Sequence, residues 1–106
     1  MTRIEQLKEF LQNEPQDAFL NYALAIEYIG TGRGEEAQEI FAQLIKNQPE
    51  YSATYLHYGR YFEKLGNKER AEEIYRKGIV LTMRLREQHN LAELQTALNN
   101  MLYDEE

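Results

Sequence analysis

The chain of 106 residues contains no cysteine. Disulfide staples and thiolate metal sites are therefore excluded, and a reducing compartment is permitted. Proline occurs twice and glycine six times. This shortage of breakers favours long helices over many short strands. No apolar run approaches the ~20 residues of a membrane-spanning helix. The opening stretch MTRIEQLKEF carries acids and no apolar core segment, so it does not read as a secretory signal. These absences point to a cytoplasmic protein that does not enter a membrane.

Hydrophobic residues make up 42% of the chain, the ordinary soluble globular range. A chain of this length can bury roughly 60–70% of its unfolded surface, enough for one modest core. Formal net charge is −6, unevenly spread. Residues 1–50 carry four basic and nine acidic residues, whereas residues 51–106 carry eight and nine. An acidic chain repels phosphate backbones, so nucleic acid is not an expected partner. The locally basic stretch 60–86 reads as a solvated helix face with i,i+4 pairs.

The two prolines, Pro15 and Pro49, stand 34 residues apart. The same spacing relates Tyr28 to Phe62, Gly32 to Gly66, Ala37 to Ala71, Phe41 to Tyr75, Ala25 to Gly59 and Ile45 to Ile79. A fixed period of this length marks a stacked repeat.

Six helices are expected. The first spans 2–13, opened by a Thr2/Glu5 capping box, with Ile4, Leu7, Phe10 and Leu11 on one face and Pro15 as its stop. The second spans 18–29 with Asp17 as N-cap, and the glycine cluster from Gly30 to Gly34 ends it in a tight turn. The third spans 35–47, with Glu35 and Glu36 at its positive end and Ala37, Ile40, Phe41, Leu44 and Ile45 as its apolar face. The fourth spans 51–65 and is closed by Gly66. The fifth starts at Lys68 after Asn67, meets Met83 where a proline would recur, and runs on to about 87. A turn is expected over Gln88, His89 and Asn90. Asn90 and Glu93 would then box the last helix, 91–103, before an acidic frayed end at 104–106.

These residues resemble the tetratricopeptide repeat, a 34-residue helix–turn–helix unit patterned W-x2-L-G-x2-Y, A-x3-F, P. Leu24, Ala25, Tyr28, Ala37, Phe41 and Pro49 match it in the first repeat. Tyr55, Tyr58, Gly59, Phe62, Ala71 and Tyr75 match it in the second. Asn21, Leu44, Gly78 and Met83 depart from the pattern. The resemblance implies an all-α fold in which helix–turn–helix repeats form a short right-handed α-α superhelix of about six helices. It implies one domain over 1–106, with a half repeat at 2–15, full repeats at 18–51 and 52–83, and a polar-backed capping helix at 90–103.

The resemblance further implies that the first helices of successive repeats line a concave face that binds peptides. That face would carry Phe19, Tyr22, Ala23, Ile26 and Ile29 from the first repeat. From the second come Ala53, Leu56, His57, Arg60, Glu63 and Lys64. The residues add a hint of their own. Leu20, Leu24, Ala25 and Tyr28 form a core face, and Phe19, Tyr22, Ile26 and Ile29 form a second apolar stripe round the other side. A helix apolar all round is either covered on both sides or faces a partner. Tyr28, Tyr55, Tyr58 and Tyr75 read as packing, which leaves Tyr22 and Tyr61 as binding candidates.

Enzyme chemistry finds no constellation here. His57 and His89 are the two histidines, no H-x3-H or P-loop appears, and Glu35–Glu36 and Glu72–Glu73 are adjacent acids on solvated faces. No catalytic residue, metal or cofactor is expected. The expected function is a protein-binding module for a peptide or helix of a partner, with Arg60 and Lys64 choosing an acidic neighbour. The alternative is a self-assembling structural protein with the apolar stripe as a homodimer seam.

Overall fold

The computed structural model describes residues 1–103; the expected acidic end at 104–106 lies outside them. Six helices make up the regular structure of the described residues: α1 (Arg3–Asn13), α2 (Ala18–Gly30), α3 (Gly34–Asn47), α4 (Ala53–Lys64), α5 (Lys68–Leu85) and α6 (Gln88–Tyr103). The fold is all-α, built of helix–turn–helix repeats. It divides into two compact units, Met1–Tyr51 with α1 to α3, and the chain from Ser52 on with α4 to α6. The division falls where one expected repeat meets the next.

The 34-residue period is written in the backbone itself. Tyr28 and Phe62 each end a helix in the same way. The amide of Arg33 donates to the Tyr28 carbonyl at 2.8 Å, and that of Asn67 to the Phe62 carbonyl at 2.9 Å. Gly32 and Gly66 sit between, at φ 79° and 81°, the left-handed region that glycine enters without a Cβ clash. The prolines repeat too. Pro15 and Pro49 occupy the second position of a four-residue turn, closed by Asp17 donating to Glu14 and Tyr51 donating to Gln48, both at 3.1 Å. Proline presets the φ that this position needs.

In the first unit the Thr2/Glu5 capping box forms as expected, at 2.9 and 3.1 Å. The Asp17 carboxylate accepts from the Leu20 amide at 2.8 Å and opens α2. Asn21, where the pattern has tryptophan, turns its amide back to the Pro15 and Asp17 carbonyls at 3.0 and 2.9 Å. It ties the turn to the helix instead of filling a core. α2 packs against both α1 and α3. Leu7, Leu24, Ala25, Tyr28, Ala37, Phe41 and Leu44 are buried. Each large apolar side chain among them contributes roughly 1.5–3 kcal/mol.

In the second unit α5 packs against α4 and α6, and α6 also touches α4. The buried set includes Tyr55, Tyr58, Phe62, Ala71, Ile74, Tyr75, Leu81, Leu94, Leu98 and Met101. α4 begins at Ala53, two residues later than expected. Position 51 is tyrosine where the previous repeat has the capping Asp17, so no side chain holds the earlier start. Ser52 does not cap either: its backbone is already helical, and its hydroxyl donates to the Glu87 carboxylate while its oxygen accepts from the Asn90 amide.

The turn expected over 88–90 lies instead at Arg86 and Glu87. Arg86 takes φ 60°, and the amides of Arg86 and Glu87 donate to Met83 and Thr82 at 3.2 and 2.9 Å. This is the same hydrogen-bond pattern that glycine closes at the two earlier helix ends. α6 therefore starts at Gln88, and the expected Asn90/Glu93 box does not form. The Asn90 amide donates to the Ser52 hydroxyl at 2.9 Å and to Glu87 at 3.4 Å. The two ends of the second unit's first helix pair are thereby tied together.

Candidate functional site

The expected binding residues fall into two groups, one on each unit. On α2, Phe19 is 56% exposed, while Tyr22, Ile26 and Ile29 are half-buried. α2 runs apolar round most of its circumference because Asn21 and Glu27 are its only polar residues. Tyr22 leans edge-on against Tyr51, ring centroids 5.8 Å apart. Partial burial and the Asp17 charge raise the Tyr51 phenol above its ordinary range. The stripe is most open at Phe19 and half-covered at its other three residues.

On α4 the four candidates separate. Leu56 is buried at 8% exposure and has little surface to offer a partner. His57 is half-buried, and Arg60 and Lys64 are exposed. The spacing 57, 60, 64 places the last three along one helix face. Burial, then the Arg60 charge, holds the His57 imidazole below the usual histidine range. A hydrogen bond with the Ala53 backbone and the Glu93 carboxylate act the other way.

Arg60 and Glu63 form one wall of a groove of about 430 Å³ whose other wall is α6. His89, Glu93, Thr96 and Asn100 project into it from α6, with the small Ala92 and Ala97 beside them. The Tyr75 hydroxyl reaches its floor and donates to Glu63 Oε1 at 2.6 Å. The Tyr75 ring is fully buried, so this bond fixes the Glu63 carboxylate from below. Burial and that carboxylate raise the Tyr75 phenol far above its ordinary range, which keeps it a donor. His89 Nε2 stands 3.6 Å from Glu93 Oε2.

The α6 wall was missed by sequence reasoning, which treated α6 as a cap and His89 as a turn residue. A signal was present: 89, 93, 96 and 100 follow i, i+4, i+7, i+11, a polar stripe with two small residues on its flank. It becomes readable only once α6 is known to start before His89. Tyr75 was correctly read as packing, but its hydroxyl serves the groove as well.

The tetratricopeptide repeat family model matches residues 22–83. A tetratricopeptide repeat domain protein from Salinibacter ruber, solved by crystallography, is 33% identical over 80% of this chain and 94% of its own, with a TM-score of 0.77. The solution NMR structure of a Salinibacter ruber tetratricopeptide repeat domain protein gives 34% identity over 81% of this chain and 87% of that one, with a TM-score of 0.78. A Bordetella parapertussis protein shares the fold at 18% identity, covering 98% of this chain and 90% of its own, with a TM-score of 0.83. No curated protein matches the chain. Among the described residues no helix is long and apolar enough to cross a membrane. The family model covers more than half of the sequence, and the Salinibacter relatives agree with it. The chain belongs to the tetratricopeptide repeat family, a family of protein–protein interaction modules.

Proposed function

We propose that this chain is a non-catalytic cytoplasmic binding module that holds an extended or helical segment of another protein. It uses the first helix of each repeat: Phe19, Tyr22, Ile26 and Ile29 on α2, and His57, Arg60 and Lys64 on α4. The observation that carries the reading is the α2 stripe. A phenylalanine that is 56% exposed, flanked by half-buried aromatic and aliphatic side chains at helical spacing, is what an apolar anchor of a partner would cover. Apolar contact supplies affinity, and the cations on α4 select an acidic neighbour. Family membership supports the class of function, and the absence of cysteine suits the compartment.

The test is capture from native lysate by the tagged protein beside its Tyr22→Glu variant, with helical content checked by circular dichroism. A carboxylate placed in an apolar contact costs several kcal/mol, so the partner held by the parent is lost by a variant that stays helical. If the variant loses its helical signal, the stripe is core. If the parent recovers only itself, the stripe is a homodimer seam.

A further inference from the structure

Eighteen acids give the chain its negative charge, yet none lies between Ile74 and Arg86. This segment is the C-terminal half of α5 with its left-handed cap, and it holds Arg76, Lys77, Arg84 and Arg86. The i,i+4 pairs expected of the basic stretch form at its near edge, Glu72 with Arg76 at 2.8 Å and Glu73 with Lys77 at 3.7 Å. Glu87, just past its far edge, accepts from Ser52 and Asn90. Between the two edges Val80 is 67% exposed and Met83 59% exposed. Arg76, Lys77 and Arg84 stand at i−4, i−3 and i+4 from Val80, so cations and apolar side chains share one helix face. The opposite face, with Ile74, Tyr75, Gly78, Leu81 and Thr82, is buried and holds the exposed one in place. Neither open apolar residue is needed by the repeat. The 34-residue period puts Lys46 and Pro49 at these places in the first repeat. Val80 is β-branched and a poorer helix former than lysine, and Met83 lacks the preset φ of proline. Cations near a helix C-terminus complement its dipole, but that gives no reason for two exposed apolar side chains among them.

We propose that the C-terminal half of α5 is a separate docking face, on which Val80 and Met83 receive the apolar side of an acidic amphipathic helix from a partner protein while Lys77 and Arg84 pair with its carboxylates. This face lies on the second helix of its repeat, whereas the reading above uses first helices, and neither depends on the other. Charge decides the occupant. From Ile74 to Arg86 a partner's carboxylates meet cations and no acid. The pairs at the near edge are exposed and contribute little, so Arg76 and Lys77 can each take a second carboxylate. A flat anionic bilayer also offers negative charge, but it approaches the rest of the molecule as well, where eighteen acids stand against eight basic residues. A single helix meets the patch alone, and charges farther than about 8 Å are screened at physiological salt. Val80 and Met83 are three residues apart, the spacing at which a facing helix presents its own apolar side chains. Apolar contact supplies the affinity, and the surrounding cations supply the salt dependence and the choice of sign.

The test uses the full chain and a fluorescein-labelled helical peptide of about twenty residues, with leucine at i, i+3 and i+7 and glutamate on the flanking positions. Fluorescence anisotropy at about pH 7.5, where glutamate is charged, gives the dissociation constant at low and at physiological salt. Peptides with lysine for glutamate, or serine for leucine, run alongside. The acidic peptide is expected to bind saturably and to weaken roughly fivefold at physiological salt, while the other two bind less tightly. Val80→Ser/Met83→Ser weakens its binding about tenfold through two lost apolar contacts. Lys77→Gln/Arg84→Gln weakens it about fivefold at low salt and removes most of the salt dependence. All four side chains are exposed, so circular dichroism should show unchanged helix, and each double variant serves if the other is disturbed. Tyr22→Glu binds the peptide as the parent does, which separates this face from the α2 stripe. Sedimentation with vesicles of equal parts phosphatidylcholine and phosphatidylserine reads the bilayer directly. Four peptide results would overturn the proposal: no binding of the acidic peptide, preference for the lysine peptide, undiminished affinity in Val80→Ser/Met83→Ser, or loss in Tyr22→Glu alone. Binding to vesicles in place of the peptide would overturn it too and make the face a lipid contact. The first-helix reading is decided separately, by the Tyr22→Glu capture.

Discussion

Gly59 stands where Ala25 stands one repeat earlier, and the difference is a single methyl group. A Cβ at Gly59 would lie 2.3 Å from Tyr75 Cε1 and 2.6 Å from Cδ1. The larger aromatic at 75, tyrosine where the first repeat has Phe41, crosses directly over the helix backbone to reach Glu63. Gly78 is crowded in the same way, by Tyr55 Cβ at 2.6 Å and Leu94 Cδ1 at 2.9 Å. Both glycines cost helix propensity and are retained because no side chain fits. Gly59→Ala is expected to destabilise the chain by about 1–3 kcal/mol despite alanine's better propensity, as overpacking of a closed core does. Urea denaturation of the variant measures this; an increase in stability would show that the Tyr75 ring moves aside without loss.

Among the elements, the three helix ends at Gly32, Gly66 and Arg86 share one hydrogen-bond pattern, and only the third lacks glycine. An L-residue in the left-handed region carries a steric cost of about 1–2 kcal/mol, partly offset by the lower chain entropy of a non-glycine residue when unfolded. Arg86→Gly is therefore expected to stabilise by about 0.5–1 kcal/mol, seen as a raised melting temperature with an unchanged helical spectrum. A fall in melting temperature would mean that the Arg86 side chain holds the α5–α6 turn by a contact of its own. The neighbouring tie, in which Ser52 meets Glu87 and Asn90, explains why the turn sits here. The first residues of α6 are drawn toward the start of α4, and Asn90 is spent on that link instead of on a cap.

For the molecule as a whole, stability should depend on pH through His57. Its folded imidazole is held below the ordinary value of 6.5 by burial and Arg60. Between that depressed value and 6.5 the unfolded chain binds more protons than the folded one, so stability rises with pH across this window. The contribution is complete above 6.5 and is lost as pH falls toward the folded value. Chemical denaturation at pH 7.5 and 5.5 should show a larger loss for the parent chain than for His57→Gln. On the alkaline side the signs reverse. Tyr51, Tyr55 and Tyr75 are all raised by burial, so their contribution is present below the ordinary value of 10.0 and is lost above it.

The repeat class was legible in the sequence because its signals are local and periodic. Prolines in four-residue turns, glycines at left-handed helix ends, and alternating small and aromatic residues each act within a few residues of themselves. Their recurrence at 34 residues stated the helix–turn–helix unit before any contact was known. The α2 stripe was legible for the same reason, since helical spacing alone decides which side chains share a face. What only the tertiary structure decided depends on groups distant in the chain. Ser52 and Glu87 meet across 35 residues and override a capping signal that looked sound at Asn90. Leu56 is removed from the surface by packing, although its helix position placed it among binding residues. The α4–α6 groove exists because Arg86 adopts a conformation that its side chain disfavours, which starts α6 early enough to bring His89 and Glu93 opposite Arg60. Local propensity has no access to that outcome: a strained residue is held in place by the packing around it, and packing is a property of the folded whole.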